Sequence, residues 1–344
     1  MVAQTDGQTR NRNAIEATDL AVTYADGTRA VRGIDLAVAE GECFGFLGPN
    51  GAGKTTVIKA LVTLLGTTRG SVRINGFDPH DSPRAVRASI GYMAQETSVD
   101  ETLTARENLA FACDLYGVSR GERADRIADV LELVGLEADA DRQVGTFSGG
   151  MAKRLDVATA LVHEPPIVFL DEPTTGLDPR SRNRLWEHVR AINDRGVTVF
   201  LTTQYLAEAD ALCDRIAVLQ DGSIVATDTP AALKAAIGGD VLEVTLADPN
   251  DERRAEARRI ARDVGFDPSA VEPTDDGISV TADRARSAAP DLLVALSEAG
   301  LAVTGFEVHS PTLDDVFLSL TGEDAGEEPT QQSRAAAVTP GGDR

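Results

Sequence analysis

Cys43-Phe44-Gly45-Phe46-Leu47-Gly48-Pro49-Asn50-Gly51-Ala52-Gly53-Lys54-Thr55-Thr56 decides the fold of this chain. The first five residues are an apolar run that predicts a buried strand. Gly48 to Thr55 matches G-x-x-x-x-G-K-[ST], and Thr56-Val57-Ile58-Lys59-Ala60-Leu61-Val62 has helical composition. Strand, glycine-rich loop and helix in that order form the context in which this pattern holds phosphate. The glycines let backbone N–H groups close on phosphate oxygens, and the start of the helix adds positive potential. Lys54 is placed to reach the β- and γ-phosphates, and the Thr55 hydroxyl to bind magnesium. This predicts an α/β fold with its ligand at the carboxyl ends of the strands.

A second segment agrees. Ile167-Val168-Phe169-Leu170 reads as another buried strand, and Asp171-Glu172-Pro173 stands at its end. Asp171 is placed to hold magnesium, and Glu172 to polarise an attacking water as general base. Upstream, Met151 to Glu164 predicts a helix with Leu155, Ala158, Leu161 and Val162 on one face. Ser148-Gly149-Gly150 would cap that helix, and a serine hydroxyl with free N–H groups makes a second anion site. Two phosphate sites in one chain are redundant unless they meet across a dimer. Each ATP would then lie between the loop of one copy and the Ser-Gly-Gly of the other.

The chain resembles the nucleotide-binding subunit of an ABC transporter over roughly residues 14–237. Gly48 to Thr56 matches the Walker A loop, adding Pro49, Asn50, Gly51, Ala52, Gly53 and Thr56 to the phosphate cradle. Ile167 to Glu172 matches Walker B, and Phe147-Ser148-Gly149-Gly150-Met151 matches the signature. The resemblance implies that Tyr24 stacks on adenine, that Gln95 in Gly91-Tyr92-Met93-Ala94-Gln95-Glu96 is the Q-loop ligand to magnesium, and that Asp178 in Gly176-Leu177-Asp178 is the D-loop residue. Thr202-Thr203-Gln204 stands where the family usually has a histidine switch. An amide can still hydrogen-bond the γ-phosphate but takes up no proton in the working pH range. The catalytic set is therefore Lys54, Glu172 and Gln204, with the chemical burden on Glu172. Thr102 to Leu109 resembles a segment of subunits that serve type-two exporter permeases. Gln204 and Pro311 to Gly322 resemble the daunorubicin-resistance type of drug-export ATPase.

Composition limits the surroundings. The 344 residues leave room for about two domains. No run of 18 apolar residues occurs, and the first 13 residues lack a signal-peptide core. Cys43, Cys113 and Cys213 read as buried thiols in a reducing cytosol. The expected location is the cytoplasmic face of the membrane, reached through a permease. Formal net charge is −22, and only Lys54, Lys59, Lys153 and Lys234 of the 33 basic residues are lysine. Self-repulsion at that charge is relieved at high ionic strength, which reads as adaptation to a salt-rich cytoplasm, as in a halophile. The acidic balance also argues against duplex nucleic acid as a partner.

The remaining segments are placed coarsely. Ile15 to Tyr24, Gly33 to Val38 and Ser71 to Asn75 predict edge strands around the adenine pocket. Residues from about 95 to 160 predict a helical subdomain. Its apolar positions Leu109, Phe111, Ala112, Leu115, Ile127, Val130, Leu131 and Val134 are expected in the core. Residues 240–322 predict a β-α-β-β-α-β order, a ferredoxin-like α+β accessory domain, with its second helix from Pro290 to Ala299. Residues 1–13 and the acidic tail 323–344 are expected to be disordered.

The composite expectation is a P-loop α/β ATPase using ATP and Mg2+, dimerising on ATP and energising a separate permease for drug or other hydrophobic-solute efflux. A low-turnover regulatory ATP-binding module and a soluble non-transport ATPase of the same class are the alternatives.

Overall fold

The computed structural model describes residues 13–321. Contacts divide the chain between Pro230 and Ala231 into two compact units.

In the first unit, β3 (Cys43–Leu47), β6 (Ile167–Asp171) and β7 (Thr198–Thr203) are buried at every position. Strands apolar on both faces need cover on both sides, the situation of a parallel sheet interior. With β5 (Ile90–Met93), β8 (Arg215–Gln220) and β9 (Ser223–Asp228) they form a sheet of order β5-β6-β7-β3-β8-β9. All neighbours are parallel except β8 and β9. Phe200 is the centre of its core, with ring centroids 5.8, 5.7 and 5.4 Å from Phe44, Phe46 and Phe169. β1 (Asn13–Thr23), β2 (Arg29–Ala39) and β4 (Arg69–Ile74) make a separate antiparallel sheet, β2-β1-β4.

Helix α1 (Lys54–Leu61) follows β3, and α2 (Pro83–Ala88) precedes β5. Next come α3 (Ala105–Tyr116), α4 (Arg123–Leu133) and α5 (Gly149–Leu161), which pack on one another, with α5 also against β5. Then α6 (Pro179–Asp194) leads into β7, and α7 (Leu206–Leu212) into β8. A reciprocal cap starts α3: Thr104 Oγ1 accepts from Glu107 N, and Glu107 Oε2 accepts from Thr104 N. One expectation fails on this helix. Leu109 and Ala112 are buried, but Phe111 is 60% and Leu115 70% exposed. The helix is apolar over more of its circumference than α4 and α5 cover, so helical spacing alone misplaced two residues in the core.

The second unit is built around β10 (Asp240–Leu246), β11 (Val271–Pro273), β12 (Gly277–Ala282) and β13 (Val303–His309). Their order is β11-β12-β10-β13, all antiparallel, with α9 (Asp251–Asp263) and α10 (Ala285–Glu298) as the crossovers. α8 (Pro230–Ile237) precedes this unit's first strand, and α11 (Leu313–Thr321) follows its last. Leu242, Val244, Ile260, Phe266, Ile278, Val280, Leu292 and Leu296 share one core. Pro290 does not open α10 but lies inside it. The upstream turn holds without the missing N–H because Ala285, Ala288 and Ala289 are small, helix-favouring and buried.

Among the described residues no helix is long and apolar enough to cross a membrane. Residues 1–12 and 322–344 lie outside the described part, so the expectation of disorder in 1–12 and 323–344 is not addressed; Asn13 is the first residue of β1.

Candidate nucleotide site

Four adjacent strands, β5, β6, β7 and β3, end on the same edge of the parallel sheet, and each delivers one predicted segment there. Register brings Met93 beside Leu170, Asp171 beside Thr202 and Leu47 beside Thr203. Gln95 follows β5, Asp171 ends β6 with Glu172 next to it, Gln204 follows β7, and Gly48 to Thr55 follows β3. Residues more than 150 positions apart in sequence thus converge because parallel strands share a direction.

The loop itself is shaped by close backbone approach. Gly53 caps α1 with φ 107°, and a Cβ there would stand 2.5 Å from the Ala30 carbonyl oxygen. Only glycine serves at such a position. Lys54 is 4% exposed, and its ammonium donates to the carbonyls of Gly48 at 2.7 Å and Pro49 at 3.1 Å. The same nitrogen lies 3.4 Å from Glu172 Oε1. Burial pulls the Lys54 pKa down, and the carboxylates of Glu172 and Asp171 oppose that.

Asp171 is 1% exposed. Its Oδ1 accepts from Thr202 Oγ1 at 2.6 Å and from Thr55 Oγ1 at 3.3 Å. Burial raises its pKa, the Thr202 hydroxyl opposes, and the charge of Glu172 raises it further. Tyr92 is pushed up to about 12 by burial and then by Asp171, so its phenol stays neutral. Glu172 carries its carboxylate between three donors. They are the Lys54 ammonium, Gln95 Nε2 at 3.1 Å and Thr175 Oγ1 at 3.2 Å. Its backbone sits at φ 48°, a left-handed conformation that costs a non-glycine residue of order 1 kcal/mol. Two bonds hold it there, from Glu172 N to the carbonyl and to the hydroxyl of Thr202, both 3.1 Å.

The other predicted residues fall into two groups. The Tyr24 hydroxyl pairs with Thr56 Oγ1 at 2.9 Å, which sets the aromatic ring beside the loop while 39% of the residue stays exposed. Gln204 is half-buried just beyond β7. Ser148, Gly149 and Asp178 are exposed, and their hydrogen bonds are local. Ser148 Oγ caps α5 by accepting from Met151 N at 3.3 Å. Asp178 caps α6 by accepting from Ser181 N at 3.0 Å and Ser181 Oγ at 2.6 Å. Gly150 is buried, and a Cβ on it would come within 2.7 Å of Ser181 Oγ. The starts of α5 and α6 therefore abut with no room for a side chain between them.

Sequence reasoning missed several participants. Thr202 is the shortest partner of Asp171; its signal was a hydroxyl two residues before Gln204 at the end of a buried strand. Lys153 and Asp156, buried on α5, hold the segment after β5. Lys153 Nζ donates to the Gln95 carbonyl, and Asp156 Oδ1 accepts from Ser98 Oγ. They lie on the face of α5 opposite Leu155, Ala158, Leu161 and Val162, so helical spacing gave no signal of their burial.

Two family profiles match, ABC transporter over residues 31–175 and ATP-binding protein DrrA1-3-like, C-terminal domain, over residues 229–321. The chain is 44% identical over 332 residues to the daunorubicin/doxorubicin resistance ATP-binding protein DrrA of Streptomyces peucetius, covering 94% of this chain and 97% of that protein. The chain belongs to the daunorubicin-resistance family of ABC transporter ATP-binding proteins. It is also 35% identical over 309 residues to the linearmycin resistance ATP-binding protein LnrL of Bacillus subtilis, covering 90% and 98% of the two chains. Among solved structures, it is similar to a dimeric ATP-binding cassette in a post-hydrolysis state bound to ADP and Pi. There the TM-score is 0.57 at 28% identity, over 62% of this chain and 98% of that one. As a member of this family the chain is an ATP hydrolase.

Proposed function

We propose that this ABC ATPase powers an exporter, with two copies closing head to tail on two ATP molecules and driving a separate membrane permease. The observation that carries the reading is a division of exposure. Lys54, Asp171 and Glu172 are buried together, whereas Ser148, Gly149 and Asp178 are presented to solvent. An anion site turned outward supports a role against the nucleotide of a second copy.

In this reading Tyr24 stacks on the adenine, and the amides of Gly48 to Thr56 with Lys54 hold the phosphates. Ser148, Gly149 and Gly150 of the other copy meet the γ-phosphate, with Asp178 beside them. Glu172 takes the proton from water, and Gln204 hydrogen-bonds the γ-phosphate without titrating. Thr55, Asp171 and Gln95 would hold Mg2+. Their oxygen donors suit that cation, and a buried Asp171 with a raised pKa is a carboxyl whose charged form a cation favours. An ion held there would supply positive charge to the phosphates during transfer. Gln95 is tied to Glu172, and Lys153 to the Gln95 carbonyl, so the α5 helix and the catalytic carboxylate share one link.

The exposed pair Phe111 and Leu115 on α3 supports a protein partner on the helical subdomain, and a type-two exporter permease is the partner proposed. The ATPase would then lie at the cytoplasmic face of the membrane. The names of the relatives support a drug or other hydrophobic solute as cargo. Co-expression with a six-helix permease encoded beside it should give a stable complex whose ATPase rate rises when cargo is added. A chain that hydrolyses ATP but binds no membrane protein would leave the soluble alternative standing.

The net charge of −22 supports function in concentrated salt, where the Debye length falls to about 3 Å at 1 M and surface repulsion is screened. The thermal midpoint should rise by several degrees or more between dilute buffer and molar KCl. A midpoint that is flat or falling over that range removes the salt reading. Acidic balance likewise supports a protein partner over nucleic acid.

A further inference from the structure

Glu208 on α7 is fully buried, 0% exposed, in a chain whose other acidic residues are mostly on the surface. A carboxyl in that position needs fixed polar neighbours. Oε1 accepts from the indole Nε1 of Trp186, on α6, at 3.0 Å. The hydroxyls of Thr203 and Thr174 and the guanidinium of Arg182 also act on it, against a burial that raises its pKa. Each neighbour belongs to a segment of the nucleotide site. Thr174 stands two residues beyond Glu172, on the stretch leading to Asp178, and is itself 0% exposed. Thr203 immediately precedes Gln204, and its hydroxyl accepts from Tyr205 N at 2.9 Å. Arg182 lies on α6, the helix that Asp178 caps, and its guanidinium is 4.8 Å from the centre of the Tyr205 ring. The carboxyl therefore ties α7 to α6 through Trp186, beside the Arg182–Tyr205 contact that ties α6 to the stretch after β7. Glu208 Oε2 and Thr174 Oγ1 each have no hydrogen-bond partner, so the ties that geometry supports run through Trp186 and Tyr205.

We propose that Glu208 is a positioning residue that makes α6, with the Asp178 turn that caps it, and the Gln204 stretch move as one. This rests on the hydrolysis mechanism given above for Glu172. The coupling would let a shift at the exposed Asp178 turn be felt at Gln204. Glu208 itself touches neither substrate nor water.

The chain has one tryptophan, Trp186, so its emission reports the Glu208 contact directly. Wild type, Glu208→Ala and Glu208→Gln are compared for ATP hydrolysis, for binding of a non-hydrolysable ATP analogue, and for the Trp186 emission change on analogue binding. Glu208→Ala should lower kcat at least about tenfold with KM and analogue affinity within about twofold, and should lose the emission change. Glu208→Gln should recover most of both, because the amide oxygen still accepts from Trp186 and the amide nitrogen can donate to a threonine hydroxyl. Unchanged kcat in folded Glu208→Ala overturns the proposal. If Glu208→Ala does not fold, wild-type emission that ignores the analogue, or a folded Glu208→Gln with neither kcat nor the emission change recovered, overturns it instead. Wild type that binds ATP without hydrolysing it would sink the mechanism, and the emission comparison would still judge the coupling.

Discussion

Glu172→Gln is expected to lower ATP turnover by about 100-fold or more while ATP binding is kept or tightened. In the proposed mechanism this carboxylate is the group that takes the proton from water. Lys54 donates to two loop carbonyls, Asp171 is engaged by two hydroxyls, and Gln204 does not titrate. Binding should not suffer, because Glu172 and the phosphates compete for one ammonium. Lys54 lies 3.4 Å from Glu172 Oε1 before any phosphate arrives. Removing that charge frees the lysine for the ligand, and the Gly48 and Pro49 carbonyls still hold it in the loop. Gln204→Ala removes one neutral hydrogen bond and should slow turnover by about tenfold or less. Steady-state hydrolysis and nucleotide titration of both variants decide the matter. Comparable hydrolysis by wild type and Glu172→Gln would remove Glu172 as the base. A collapse in Gln204→Ala as deep as in Glu172→Gln would give the amide a larger part than hydrogen bonding.

Ser148→Arg should abolish most hydrolysis while each chain still binds ATP with near wild-type affinity. Ser148 is exposed, so the larger side chain meets nothing within its own copy. The fold loses one helix cap, the bond from Met151 N, which costs about 1 kcal/mol. Across a closed pair the guanidinium would occupy the space meant for the γ-phosphate and its approach. In a Glu172→Gln background, which holds ATP without turnover, the wild-type signature should give an ATP-dependent dimer on size exclusion. The double variant should remain monomeric. A Ser148→Arg protein that still dimerises and hydrolyses would mean that the second anion site faces something other than a nucleotide.

Both predictions use segments legible in the sequence, and the reason is physical. Gly48 to Thr55, Asp171-Glu172 and Ser148-Gly149-Gly150 are local patterns: each needs particular residue types at fixed spacing, and the neighbouring apolar runs settle strand or helix. The ferredoxin-like order of the second unit was legible for the same reason, through alternation in Val241 to Leu246 and helical spacing in Asp251 to Val264. What remained hidden depends on partners far away in sequence. Thr202 matters because strand register sets it beside Asp171. Lys153 and Asp156 matter because α5 packs against β5 and so meets the stretch that follows it. Nothing in the sequence marked Glu208; only the fold shows it fully buried against Trp186. Phe111 and Leu115 erred the other way, because apolar spacing marks which residues avoid water and not which surface covers them. Pro290 misled as a helix start, since packing of small residues upstream outweighed its local preference.

The close seat of Gly150 on Ser181 has a kinetic meaning. The starts of α5 and α6 bear the two groups that a copy would offer its neighbour, and no side chain separates them. They cannot be offered one at a time. In the proposed pair, engagement of Ser148 with one nucleotide would bring Asp178 into place in the same event, on both sides. Turnover should therefore depend steeply on ATP, with a Hill coefficient above one that approaches two, and should fall faster than linearly as the protein is diluted.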